Sequence, residues 1–261
     1  MLEIERLSVT YPDTRTPALR DIDLSMGNEK MVVVGANGSG KTTLLKAVLG
    51  LVPIASGRVT VLGREVGTVR AETGVSTNLD EVYRLISLPV RDLIPIYALM
   101  KGGLADELAR RLHAFELDEV RDKRTYQLST GQRKMVGNLF AVSFSPKLVL
   151  LDEPFDNVDF TRRRRFVQLL RELPATILVN THELDLLHFF SGWNLGLMFD
   201  GRFFGPFPVA DLDRLFLSRG RIAGARAVVE TGLGTFSLTL DRGDTPVKSA
   251  TSLNALVESL A

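Results

Sequence analysis

The run Met31-Val32-Val33-Val34 leads straight into Gly35-Ala36-Asn37-Gly38-Ser39-Gly40-Lys41-Thr42, and Thr42 to Leu49 follows at helical spacing and stops at Gly50. No other stretch constrains the fold as much. Consecutive apolar, mostly β-branched residues read as a strand buried on both faces. The glycines at 35, 38 and 40 let the backbone curl so that successive N–H groups face one anion, and the helix N-terminus adds favourable potential. Gly35, Asn37, Gly38, Ser39, Gly40, Lys41, Thr42 and Thr43 are therefore the expected phosphate-binding residues. Lys41 would reach the β- and γ-phosphates and Thr42 would ligate Mg²⁺.

Short apolar runs on either side extend the pattern. Leu2, Ile4, Leu7 and Val9, then Leu19, Ile22 and Leu24, predict strands separated by the turn Pro12-Asp13-Thr14-Arg15, and Val59 to Leu62 predicts another. From about residue 79 the character becomes helical. Val90 to Met100 ends at Gly102-Gly103, and Leu104, Leu108, Leu112 and Phe115 mark a second amphipathic stripe. Strand and helix then alternate: Leu148 to Leu151, Phe160 to Leu173, Thr176 to Val179, Glu183 to Phe190 and Leu195 to Phe199. That order predicts a mainly parallel sheet covered by helices. The reading is a main domain over 1–217, with a helical insertion at about 79–140. A small appendix at 218–261 would contain a hairpin (Ala227 to Thr231, Thr235 to Leu240) and a short helix (Leu253 to Leu260).

Composition excludes several functions. Lys+Arg of 32 against Asp+Glu of 31 gives a formal net charge of +1, so no global field favours nucleic acid or an anionic membrane surface. There is no cysteine, which rules out disulfides and thiolate metal sites and is compatible with a reducing compartment. No apolar stretch approaches the roughly 20 residues of a membrane helix, and the N-terminus lacks the layout of a secretion signal. A soluble chain is expected, reaching any membrane through a partner.

Leu148-Val149-Leu150-Leu151-Asp152-Glu153-Pro154 is a hydrophobic strand that ends in two acids. Buried strands seldom end so unless a cation or a proton transfer compensates the charge. Asp152 suits Mg²⁺ and Glu153 suits a general base acting on water.

With these motifs in this order, residues 1 to about 215 resemble the nucleotide-binding subunit of an ABC transporter. The resemblance implies a P-loop NTPase core of the α/β class, an antiparallel N-terminal β-subdomain and an inserted α-helical subdomain. It implies that Tyr11 stacks on adenine. It implies that Leu128-Ser129-Thr130-Gly131-Gln132 is the signature motif, with Ser129, Gly131 and Gln132 contacting ATP held by another subunit. It implies that Asp159, in the loop Asp156 to Asp159 that matches the family's D-loop, serves nucleotide binding, and that His182, which matches the switch histidine, serves catalysis. The implied activity is ATP hydrolysis with Mg²⁺. The implied partners are a second copy or a homologue and a transmembrane permease, with no nucleic acid. The implied location is cytoplasmic, peripheral on the inner face of the cell membrane. A soluble ATPase of the same family, acting on nucleic acid, a ribosome or an assembly scaffold, is the alternative; a cassette that binds without hydrolysing is a second.

Two positions depart from the family. Its usual glutamine between core and insertion is absent; Asn78 occupies that register and is expected to serve catalysis and Mg²⁺ with an amide one methylene shorter. Thr130 stands where the family usually has glycine, so either the loop adopts a conformation open to a β-branched residue or activity is lowered; the first is the expectation. Arg162-Arg163-Arg164-Arg165 reads as the solvated face of a helix rather than a nucleic-acid site. The Leu93 to Met100 segment reads as packing within the insertion, with exposure to a permease as the other possibility.

Overall fold

Alternating burial along Leu2–Val9 builds the first sheet, because residues at even spacing share one face of a strand. The computed structural model describes residues 1–67, 73–79, 81, 88–231 and 234–249. In chain order the elements begin β1 (Leu2–Val9), β2 (Leu19–Met26), β3 (Lys30–Gly35), α1 (Lys41–Val48), β4 (Ser56–Val61), β5 (Arg64–Glu65) and β6 (Val75–Thr77). The helices α2 (Val90–Lys101), α3 (Ala105–Ala114) and α4 (Thr130–Val142) follow, then β7 (Leu148–Asp152), α5 (Phe160–Glu172) and β8 (Thr176–Thr181). The last part is mostly strand, with 3₁₀ turns at Val209–Arg214 and Val247–Ser249: β9 (Asn194–Phe199), β10 (Arg202–Pro208), β11 (Leu215–Arg219), β12 (Ala227–Thr231), β13 (Gly234–Leu240) and β14 (Thr245–Pro246).

The chain divides into two units: Leu2–Gly67 with the residues from Asn180 on, and the intervening stretch to Val179 with Met1. In the first unit β2, β1, β4 and β5 form an antiparallel sheet in that order. Leu2 pairs with Met26 on one side and Val61 on the other, and all three are buried. Beside it β3 runs parallel to β9, with Val33 opposite Gly196, and β10 is antiparallel to β9. Met31 to Gly35 are all buried, which explains the unbroken apolar run. β10 carries Pro206 and Pro208, residues that weaken a strand signal and are tolerated where one edge is unpaired, and it is the end strand of its sheet. A further sheet, ordered β12-β13-β11-β14, packs around Leu215, Leu217, Val229, Phe236 and Leu238, each fully buried. The expected hairpin is thus extended upstream to Leu215; the expected helix at Leu253 to Leu260 lies outside the described residues.

In the second unit β6 lies parallel to β7, with Val75 opposite Leu148 and Thr77 opposite Leu150. Leu148 to Leu151 are buried. α2 buries Val90, Leu93, Ile94, Tyr97 and Ala98, while Leu99 and Met100 project outward. α3 buries Leu108 and Leu112 and ends at Phe115, whose ring meets Phe166 of α5 edge-on at 6.4 Å. The arginine run does more than face solvent. Arg162 donates to the Phe115 and Glu116 carbonyls at 3.0 Å each, Arg163 to the Val158 carbonyl at 2.8 Å, and Arg165 to the Ala114 carbonyl at 3.2 Å. These guanidinium groups satisfy carbonyls at the end of α3 and in the turn before α5, where helix termini leave acceptors unfilled. A helix was expected over Glu183 to Phe190; Leu184–Phe190 is a 3₁₀ helix instead, and its buried Leu184, Leu187 and Phe190 recur at the three-residue spacing of that helix. Among the described residues no helix is long and apolar enough to cross a membrane.

Candidate functional site

The expected residues fall into two sets, one in each unit. In the first unit β3 delivers the glycine loop and α1 leaves it. Gly40 precedes the helix at φ 101°, and a Cβ there would stand 2.7 Å from the Ala18 carbonyl oxygen, so both conformation and space require glycine. The loop is braced by Ser39 N–H donating to Ala36 O at 3.1 Å and by Gly201 N–H donating to Ser39 O at 3.0 Å. Lys41, 5% exposed, donates from Nζ to Gly35 O at 2.7 Å and Ala36 O at 3.1 Å. Its ammonium thus lies folded over the loop. Ser39 Oγ is buried without a hydrogen-bond partner. An unsatisfied buried hydroxyl in a curled loop at a helix N-terminus fits an anion with several acceptor oxygens. Asn37 and Gly38 are exposed at the tip, and Thr42 and Thr43 are half-buried in the first turn of α1.

Tyr11, half-buried after β1, is hydrogen-bonded through its hydroxyl to Thr43 Oγ1 at 3.2 Å, tying the aromatic ring to the phosphate loop. His182 follows the last residue of β8 and is half-buried. Two residues before it, Asn180 is fully buried and donates to Lys41 O at 2.6 Å. Its role was not legible beforehand, since the partner lies 139 residues away.

In the second unit Asp152 ends β7 and Glu153 turns away from it, both half-buried. Glu153 has φ 44°, a left-handed conformation that a non-glycine residue adopts only when its surroundings hold it there. Asn78, 3% exposed, accepts from Asp152 N–H at 2.7 Å and donates to Asp152 O at 3.1 Å. Its second amide proton goes to Asn138 Oδ1 at 2.7 Å. Asn138, fully buried in α4, donates in turn to Pro154 O at 2.7 Å. The Asn78 amide, expected at Mg²⁺, is thus engaged with the backbone of the acid strand. Asn138 carries no local sequence signal, being an amide inside a helix; only its apolar neighbours Leu139 and Phe140 hint that it is buried.

The signature motif opens α4. Ser129 Oγ accepts from Gln132 N–H at 3.2 Å, and Gln132 Oε1 accepts from Ser129 N–H at 3.1 Å, a reciprocal cap that fixes the exposed turn. Thr130 is the first residue of the helix and its φ is not positive, so its backbone is one that threonine adopts freely. A Cβ on Gly131 would lie 2.3 Å from the Asn157 carbonyl oxygen, which brings this motif against the loop Asp156 to Asp159. Asp159 caps α5 by accepting from Arg162 N–H at 3.0 Å. That hydrogen bond, followed by the Arg162 charge, holds the carboxyl below the usual carboxylate range.

Comparison with known proteins agrees with this geometry. The ABC transporter family model matches residues 19–156, more than half of the chain. The taurine import ATP-binding protein TauB of Pseudomonas entomophila (strain L48) is 34% identical over 197 residues, 71% of this chain and 74% of that protein. TauB of Pseudomonas putida is likewise 34% identical, over 71% of this chain and 73% of its own length. A solved ATP-binding protein assigned to cobalt transport (cbiO-2) superposes with a TM-score of 0.90 at 30% identity, covering 100% of both chains. The chain therefore belongs to the ABC transporter family, as a nucleotide-binding ATPase subunit that powers transport through a separate permease.

Proposed function

We propose that this subunit binds ATP with Mg²⁺ between the phosphate loop of one copy and the signature motif of a second copy or a homologue, and that closure of this pair assembles the hydrolytic site. The observation that carries the reading is the loop itself: a buried lysine folded over a curled backbone, with the Ser39 hydroxyl of the same loop buried and unsatisfied. Gly35, Asn37, Gly38, Ser39, Gly40, Lys41 and Thr43 would hold the phosphates, Tyr11 the adenine, and Ser129, Gly131 and Gln132 the γ-phosphate of the opposing nucleotide. Thr42 and Asp152 would hold the metal, since a hydroxyl and a carboxylate are the hard oxygen donors that Mg²⁺ prefers. When bound, Mg²⁺ supplies charge stabilisation to the transferring phosphoryl group. Asn78 belongs to the same set, and its influence runs through the Asp152 backbone that it grips.

Glu153 accepts a proton from the attacking water as that oxygen bonds to the γ-phosphorus, and the bond to the bridging oxygen of ADP breaks. His182 orients the γ-phosphate, and Asp159 fixes the loop that meets the opposing copy. We place the subunit at the cytoplasmic face of a membrane, bound to a permease through exposed residues of the 79–140 insertion, with the appendix expected at 218–261 beginning at Leu215, where its sheet starts. The relatives are named for taurine import and cobalt transport, which favours import of a small polar solute or ion.

The deciding experiment is Glu153→Gln. It should keep ATP affinity, lower turnover by about 10²–10⁴-fold and accumulate an ATP-bound dimer in gel filtration. Turnover at the wild-type rate would remove Glu153 from its role.

A further inference from the structure

We infer that Asn78 and Asn138 form a positioning pair that clamps the peptides on either side of Glu153 and thereby holds this acid in its left-handed conformation for the chemical step. The inference rests on the reading of Glu153 as the base, and goes beyond it in assigning a role to Asn138 and a different mode of action to Asn78.

The parallel ladder between β6 and β7 ends with Thr77 opposite Leu150, and β7 continues to Asp152. Beyond that end the Asn78 side chain stands in for a strand. Its carbonyl takes the Asp152 N–H at 2.7 Å and its amide meets the Asp152 carbonyl at 3.1 Å, as a backbone peptide would. One residue past Glu153, the Pro154 carbonyl accepts from Asn138 at 2.7 Å. The two amides are joined to each other at 2.7 Å, so the clamp is a single connected unit. Both donors of Asn78 and the Asn138 acceptor are used, and both residues are almost wholly buried. Lys134, one helical turn before Asn138 on α4, adds a 3.2 Å contact to the Asp152 carbonyl.

Between these fixed points lies Glu153 at φ 44°. A left-handed non-glycine residue is disfavoured and relaxes once its neighbours are released. Carboxylate aim is set by that backbone, and misplacement by about 1 Å can cost a hundredfold in rate. A side-chain amide one methylene longer at position 78 would overshoot the Asp152 peptide. The short asparagine thus matches its task as a backbone clasp.

Two variants test the inference, with ATPase kinetics and hydrogen exchange of the nucleotide-free protein measured for each. Asn138→Leu removes the link to Asn78 and Pro154 while filling similar volume. Asn78→Gln keeps an amide and guards against a variant that fails to fold. Expected for both are a kcat lowered about tenfold or more, a KM for ATP within about twofold, and at least about tenfold faster exchange of the Asp152 amide. An unchanged kcat in a folded variant overturns the inference, as does a lowered kcat without faster exchange. A kcat raised in Asn78→Gln overturns it too, because reach toward the nucleotide would then be what limits Asn78. Failure of the underlying reading looks different. If Glu153→Gln keeps its turnover while Asn138→Leu still exposes the Asp152 amide, the pair is a structural clasp only and the catalytic claim falls.

Discussion

Gly131 has no room for a side chain. A Cβ there would sit 2.3 Å from the Asn157 carbonyl, and the atom in the way is backbone, so relief requires moving the whole Asp156 to Asp159 loop. Gly131→Ala should therefore lower stability by about 1–3 kcal/mol, the usual range for overpacking. ATP affinity should persist while turnover collapses, measurable by equilibrium nucleotide binding beside steady-state hydrolysis. Loss of ATP affinity in step with turnover would contradict this. Thr130, its neighbour, is the opposite case. It opens α4 in an ordinary helical conformation, so Thr130→Gly should leave turnover within about twofold and lower helix stability by up to about 1 kcal/mol. A clear rise in turnover would mean that threonine slows this enzyme. At this scale the glycine loop, Lys41 and the paired acids were legible because their chemistry is written in consecutive residues. Asn138 and Asn180 were not, since the amide and carbonyl partners that give them their roles lie 16 to 139 residues away along the chain and only folding brings them together.

Helix α5 begins where chemistry and structure share a residue. Asp159 caps it and also binds the Arg162 side chain at 3.2 Å. Asp159→Ala should cost about 1 kcal/mol as a lost cap, whereas Asp159→Asn, which still offers an acceptor, should cost less. The pH dependence has a defined sign. Because the folded carboxyl titrates below its unfolded counterpart, its contribution is complete above the ordinary carboxylate value, about 4, and is lost as pH falls through the lower folded value. Acid melting curves of the wild type and Asp159→Asn should therefore converge towards low pH; curves that stay parallel would exclude the cap as a titrating contact. Strands and amphipathic helices were readable from periodicity, as α2, α3 and β7 illustrate. β10 was hidden by its glycine and prolines. The work of Arg162, Arg163 and Arg165 was hidden because a charge run on a helix reads the same whether its guanidinium groups face water or neighbouring carbonyls.

At the scale of the whole molecule, the class of machine was readable because the phosphate loop, the signature motif and the paired acids stand along one chain in the family order. The permease contact that we propose falls on exposed residues of the insertion. The Leu93 to Met100 segment divides: Leu93, Ile94, Tyr97 and Ala98 pack inward, whereas Leu99 is 86%, Met100 61% and nearby Leu104 73% exposed. Large apolar side chains grouped at one corner are costly in water unless a partner covers them. They lie on the insertion, away in sequence from both the phosphate loop and the acids, so a change there need not touch hydrolysis. Leu99→Asp should alter the stability of the isolated subunit by no more than about 0.5 kcal/mol, as for exposed sites generally, and leave its basal ATP hydrolysis near the wild-type rate. In mild-detergent extracts the wild-type chain should retain a polytopic membrane protein that Leu99→Asp loses, with transport falling in parallel. Retention of that protein by the variant would move the contact elsewhere on the insertion. Recovery of the wild type only with ribosomes or DNA would remove the assignment of this apolar corner to a permease.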